Sequence, residues 1–230
     1  MNVSTETIQI LASLNSLVAG LFLLSVFAII ATRQVKGCLG LFIGQSLLLA
    51  ASAFLLGLQH GLWHLYGVAL VNVVFKAVLI PVILRRTMPR EVYTRREIDQ
   101  VLNIPTSLII ALVLTILVYF FTIDVQQAVG AQYRGPNIPI GFAGLLLGAY
   151  TLVVRREAVP LLIGLLAMEN GAFFTGIAIS RDLPLLVELA IATDGLIVVF
   201  IMGVLIRGVH KQIGTTEVGA LATLKEEVVE

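Results

Sequence analysis

Seven stretches of this chain, each about 20 residues long and mostly apolar, leave it little choice but to fold across a bilayer. They run over 7–32, 38–58, 62–84, 103–122, 137–154, 158–179 and 184–207. At a rise of roughly 1.5 Å per residue, each is long enough to cross the hydrocarbon layer as an α-helix. The balance of the chain agrees: 58% of its 230 residues are hydrophobic and 13% charged, too few polar side chains to coat a water-soluble core. The expected fold is an all-α integral membrane protein, a bundle of seven transmembrane helices.

The first run follows Asn2, Ser4 and Glu6 without a basic leader or a small-residue cleavage site, so it reads as a retained helix. Pro105, Pro139, Pro160 and Pro184 fall in the first turns of their runs, where a missing N–H costs nothing. Pro81 falls late in the third run and is expected to bend or end it. Basic residues set the orientation. One side carries Arg33, Lys36, Arg85, Arg86, Arg90, Arg95, Arg96, Arg155, Arg156, Arg207, Lys211 and Lys225, the other only Arg134 and Arg181. Twelve against two places the C-terminus in the cytoplasm and, with seven spans, the N-terminus outside.

The longest connection, 85–102, alternates arginines with acids and reads as a solvated cytoplasmic linker or a short amphipathic piece against a partner. It divides the chain into a three-helix half with its loop, residues 1–102, and a four-helix half with a short tail, residues 103–230. No internal repeat relates the halves. A net charge of +1 and the lack of a basic block interleaved with aromatics argue against a nucleic-acid partner. The single cysteine, Cys38, excludes a disulfide framework and a paired-cysteine metal or redox motif, so no cofactor is expected.

Four ionisable side chains lie inside the apolar runs: Lys76, Glu169, Glu188 and Asp194. Each costs roughly 2.5 to 3.5 kcal/mol at the membrane centre on insertion scales, which packing seldom justifies. Glu169 and Asp194 fall about ten residues into helices six and seven, near the midplane, and Lys76 lies at comparable depth in helix three. Glu188 is about one turn from the outer surface. Asn72 precedes Lys76 by one helical turn and offers it a polar neighbour on the same face. Acids and a lysine at one depth on separate helices form the pattern of a proton relay, since burial and mutual charge make each group's protonation depend on its neighbours. A static salt bridge for Lys76 and interhelical hydrogen bonds for the acids are the structural alternatives.

His60 and His64 flank Trp63 near Tyr66 and read as an aromatic-belt anchor; with no third ligand beside them, no metal site is expected. Gly164, Ala167 and Gly171 form a small-residue stripe on helix six, a close-packing seam expected, with the 85–102 loop, to meet other subunits.

The residues from Gly164 onward include Met-Glu-Asn-Gly at 168–171, a Pro-x-Leu-Val-Glu-x-x-Ile-Ala-Thr-Asp segment from 184 and a Gly-Thr-x-x-Val-x-x-Leu-x-x-Leu-Lys tail from 214. With the run from Gly44 and the Phe75–Leu84 stretch, they resemble the family of membrane component E of hydrogenase 4 over nearly the full length. The resemblance implies a non-catalytic membrane subunit of a [NiFe]-hydrogenase or formate hydrogenlyase-type complex, itself holding no hydrogen, nickel or iron-sulfur cluster. The implied setting is a bacterial or archaeal inner membrane, and the implied partners are antiporter-like subunits and the hydrogenase-module membrane subunit. A more distant likeness, through Val153–Leu165, links the last three helices to the K-type subunit of complex I and the C-type subunit of Mrp antiporters. The first membrane glutamate of that pattern falls on Leu166, with Glu169 one turn later on the same face, and Asp194 lies near the second.

In this reading Glu169 and Asp194 are relay carboxyls, Lys76 is their relay or charge-switching partner, Glu188 is an outer connection and Asn72 is a supporting group. The alternatives are a subunit of an Mrp-type cation/proton antiporter and a stand-alone secondary transporter, which would show inverted repeats and broken helices. A retinal-type receptor is disfavoured by the place of Lys76 in helix three and by an aromatic content of 7%.

Overall fold

The computed structural model describes residues 5–87, 100–129, 137–179 and 185–213. Those residues are helical almost throughout: α1 (Thr5–Ala31), α2 (Val35–His60), α3 (64–87), α4 (Ile104–Val129), α5 (Asn137–Val154), α6 (Ala158–Ile179) and α7 (Leu185–Ile213). No strand occurs among them; an isolated bridge pairs Gln100 with Arg155. Among the described residues, six stretches are long and apolar enough to cross a membrane, from Glu6–Ala31 through Ala158–Ile179, and α7 contributes the apolar segment Gly195–Ile206. The chain is a helical, multi-pass membrane protein.

Helix α3 is three segments in one rod: α-helical His64–Val71, π-helical Asn72–Leu79 and α-helical Ile80–Thr87. At the end of the π segment the Ile80 N–H donates to Phe75 O, five residues back. Pro81 explains the position of the widening. It has no N–H to offer and its ring crowds the carbonyl one turn earlier, so the ladder before it opens. The helix then continues to Thr87 and does not end at the proline.

Helices α2 and α3 are joined by a left-handed glycine. Gly61 has φ +67° and its N–H caps α2 on Gly57 O, a conformation that glycine adopts without steric cost.

The tightest packing is the antiparallel pair α5 and α6. Gly141 lies against Thr175, Gly144 against Gly171, Gly148 against Met168, and Gly164 against Thr151. A Cβ on Gly171 would collide with the backbone of Gly144 and Leu145, which fixes how closely the two helices approach. Phe22 of α1 reaches the same seam, where a Cβ on Gly144 would sit 2.9 Å from its ring, and stacks on Phe174 at 4.5 Å between centroids. This corrects the expectation that the small residues of helix six face another subunit. Gly164 and Gly171 are spent inside the chain, and Ala167 is fully buried. The 85–102 loop lies mostly outside the described residues.

Two apolar clusters fill the bundle. One gathers Ile29, Leu39, Phe42, Ile80, Leu84, Ile163 and Leu166 near one end; the other gathers Phe22, Leu49, Leu65, Val68, Phe173 and Phe174 toward the other. On α2 the boundary falls between Phe42 and Leu49, on α3 between Ala69 and Ile80, and on α6 between Ala167 and Phe173. The polar residues described next occupy that boundary. Helix α4 lies at the rim, exposing Ile109, Phe120 and Phe121 by 63%, 63% and 66%.

Candidate functional site

Near the middle of α2, α3 and α6 the two apolar clusters are separated by a polar layer: Gln45 and Ser46, Asn72 and Lys76, and Glu169 and Asn170. Lys76 is 2% exposed, and Gln45, Ser46 and Asn170 are fully enclosed. Burying an ammonium in apolar surroundings is tolerated only with an opposite charge and hydrogen bonds, and the layer supplies both.

Lys76 Nζ forms an ion pair with Glu169 Oε1 at 2.8 Å and donates to Asn170 Oδ1 at 3.0 Å. The ammonium also faces the ring of Phe173, 5.5 Å from its centroid. Asn170 Nδ2 donates to Ser46 Oγ at 3.1 Å and lies 3.5 Å from Gln45 Oε1. Ser46 Oγ in turn donates to Phe42 O at 3.0 Å. One connected set of polar contacts therefore runs from Glu169 through α3 and back across α6 to α2.

Lys76 lies within the π segment of α3. Segments of this kind often mark functional sites in helices. The widened turn also changes which residues stack. Asn72 donates from Nδ2 to Val68 O at 3.0 Å, within its own helix, and the amide that meets the ammonium is Asn170 on α6.

Glu169 differs from its partners in having an open side, with 22% of its side chain exposed. It borders a groove of about 450 Å³ with Leu145 of α5, Leu165, Leu166, Met168 and Ala172 of α6, and Gly195 and Val198 of α7. The backbone of α7 comes close: a Cβ on Gly195 would lie 3.0 Å from Glu169 Oε2. Asp194 is the residue before that glycine. The side chains of Asp194 and Glu188 lie outside the described residues, although α7 carries both positions.

Of the sequence-derived candidates, Lys76 and Glu169 are thus in direct contact, and Asn72 is near them on α3. Gln45, Ser46 and Asn170 were not anticipated. Their signal in the sequence is weak, because neutral amides and hydroxyls are common between packed membrane helices. What they share is height, which only the assembled bundle reveals.

Arg155 was also missed. It was counted among the basic residues outside the spans, yet it is 4% exposed, and its Nη2 donates to Ile29 O, Ile30 O and Thr32 O at 2.7, 3.0 and 2.7 Å. These are carbonyls at the end of α1, which has no further turn to satisfy them. Burial pulls the Arg155 pKa below its ordinary value, a shift opposed by Cys38 and Glu157. Gln100 Nε2 adds a contact to Ile30 O at 3.3 Å, and Val101 N donates to Val154 O at 2.9 Å. At the opposite end, Trp63 is 78% exposed in the α2–α3 turn.

No group of histidine, cysteine and acidic side chains suited to a metal ion occurs among the described residues. The polar layer sets a carboxyl and an amine in direct contact inside the bundle.

No protein-family model matches the chain. No solved structure matches it significantly. Among curated proteins, an uncharacterized protein of Mycobacterium tuberculosis is 27% identical over 210 residues, covering 90% of this chain and 93% of that protein. Hydrogenase-4 component E of Escherichia coli K12 is 27% identical over 214 residues, covering 90% of this chain and 95% of that protein, and the Shigella flexneri component E matches to the same extent. The similarity includes nearly all of each partner, so it concerns the whole bundle and not one motif. The resemblance carried by the C-terminal motifs thus extends through the chain: this multi-pass helical membrane protein is similar over nearly its whole length to hydrogenase-4 component E.

Proposed function

We propose that the protein is a non-catalytic membrane subunit of a [NiFe]-hydrogenase or formate hydrogenlyase-type complex, and that its polar layer forms part of the path by which the complex moves protons or sodium ions. The observation that carries this reading is the ion pair of Lys76 with Glu169 in the middle of an apolar bundle. A pair so placed costs several kcal/mol to desolvate, and apolar residues of the same volume would hold the helices at least as well. Exchange of charge gives such a pair a reason to be there. The likeness to hydrogenase-4 component E, a component by its name, supports a role inside a larger assembly.

In this reading Glu169 is the exchanging carboxyl, because its open side meets the groove while Lys76 is enclosed. Protonation of Glu169 frees the ammonium from its counter-charge, and deprotonation recaptures it. Asp194 and Glu188 would extend the path along α7, and the N-terminus would lie outside with the C-terminus in the cytoplasm, giving seven spans in an inner membrane. Antiporter-like subunits and the hydrogenase-module membrane subunit would be its neighbours.

The test is made on the intact complex, purified in mild detergent and reconstituted into vesicles. Lys76→Met, Glu169→Gln and Asp194→Asn should leave the complex assembled and its redox reaction running, while ions moved per turnover fall. The amide replacements keep size and hydrogen bonding but cannot release a proton. Unchanged translocation in all three variants would refute the relay. Isolation as a lone monomer or homodimer with transport activity of its own would refute the subunit assignment.

A further inference from the structure

We propose that Asn170 is a positioning residue: it holds the Lys76 ammonium in place while the ion pair with Glu169 opens and closes. This rests on the reading of Lys76 and Glu169 as an exchanging pair.

The orientation of the Asn170 amide is dictated from both sides. Lys76 has donors only, so the oxygen of Asn170 must face it, at 3.0 Å. The amide nitrogen is then turned toward α2. There Ser46 has committed its own proton to Phe42 O, and its oxygen is free to accept from Asn170 Nδ2 at 3.1 Å. Every donor in the series points the same way, from the ammonium through the amide and the hydroxyl to a backbone carbonyl of α2. A chain of this polarity strengthens each of its bonds and cannot be reversed without leaving a buried donor facing a donor.

The consequence appears when Glu169 takes up a proton. A buried ammonium whose counter-charge has been neutralised is left with the weaker carbonyl acceptor of the acid, and without further help it would withdraw or lose its charge. Asn170 supplies a neutral acceptor that does not titrate, so the ammonium keeps one strong bond in both states of Glu169. Gln45 points to the same task from α2. Its Oε1 lies 3.5 Å from Asn170 Nδ2, while its Nε2 is buried with no hydrogen-bond partner among the described residues. An amide retained with an unsatisfied donor is poor glue for two helices; as a second carbonyl facing Asn170 it reinforces the direction of the chain.

The test measures ions moved per redox turnover against pH, using the intact complex in vesicles. Asn170→Asp keeps an acceptor for Lys76 but adds a rival negative charge and removes the donor to Ser46. It should lower translocation roughly tenfold, the scale of one charge-assisted hydrogen bond, and displace the pH profile from that of the native complex. Ser46→Ala removes the orienting acceptor without touching the ion pair, and should shift the profile the same way by a smaller amount; it also provides the answer if the aspartate variant fails to assemble. Asn170→Thr, whose hydroxyl can accept from Lys76 and donate to Ser46, should recover part of the native rate. Native pH profiles in Asn170→Asp and Ser46→Ala, with Lys76→Met and Glu169→Gln inactive in translocation, would overturn the positioning role alone. Native behaviour in those last two variants would instead remove the exchanging pair on which it rests.

Discussion

Lys76 Nζ lies 2.8 Å from Glu169 Oε1, although 93 positions separate the two residues in the chain, and both sit near the middle of their helices. The contact joins α3, on the N-terminal side of the 85–102 loop, to α6 beyond it. The two sequence halves therefore form one bundle, with a buried ion pair where they meet.

Removing both members of this pair should cost less than the sum of removing each alone. Glu169→Gln alone leaves the enclosed ammonium without its counter-charge, at a cost of about 3 to 5 kcal/mol, Lys76→Met leaves the more open Glu169 and costs less, and the double variant should lose clearly less than the sum. Unfolding in detergent for the four members of the cycle measures the coupling. Strict additivity would mean that the two groups do not depend on each other.

Arg155 and Arg156 offer a sharper contrast, being neighbours of the same type. Arg155→Ala removes the guanidinium from three carbonyls at the end of α1, leaving Ile30 O only its longer contact with Gln100, and should destabilise the protein by about 2 to 4 kcal/mol. Arg156 is exposed, and its replacement by alanine should change stability by about 0.5 kcal/mol or less. Equal effects in a denaturation assay would contradict the capping role.

The α5–α6 seam should reject side chains where the rest of the bundle accepts them. Gly171→Val should prevent stable accumulation of the protein, since any Cβ there meets the backbone of α5. Gly20→Ala, with nothing within 4 Å of the added atom, should be neutral or stabilising by roughly 0.5 to 1 kcal/mol through reduced freedom of the unfolded chain. Yield and melting temperature in membranes report both.

A topology experiment checks the orientation read from basic residues. A reporter fused after Glu230 should behave as cytoplasmic and one placed within 124–136 as external. The reverse pattern would invert the direction assigned to the path.

The helical spans were legible from sequence because a bilayer demands long apolar runs whatever their neighbours, so the requirement is local and written in consecutive residues. Lys76 and Glu169 were legible for the same reason, since an ionisable group in such a run is conspicuous by itself. The π segment was only half visible: Pro81 marked a disturbance, but whether the helix breaks, bends or widens depends on the neighbours that receive its displaced carbonyls. The partners of the charged pair were invisible. Gln45, Ser46 and Asn170 look like ordinary membrane-helix residues until the register of α2 against α6 brings them to one height. The stripe of Gly164 and Gly171 likewise announced a close contact without saying with what, and α5 supplied the answer inside the chain. Arg155 was masked by its exposed neighbour, because capping a distant helix end depends on where α1 stops relative to α5. The sequence by itself determined what must be buried and roughly how deep; which buried groups touch was decided only by the packing of helices, whose registers and facing sides are set by interactions far apart along the chain.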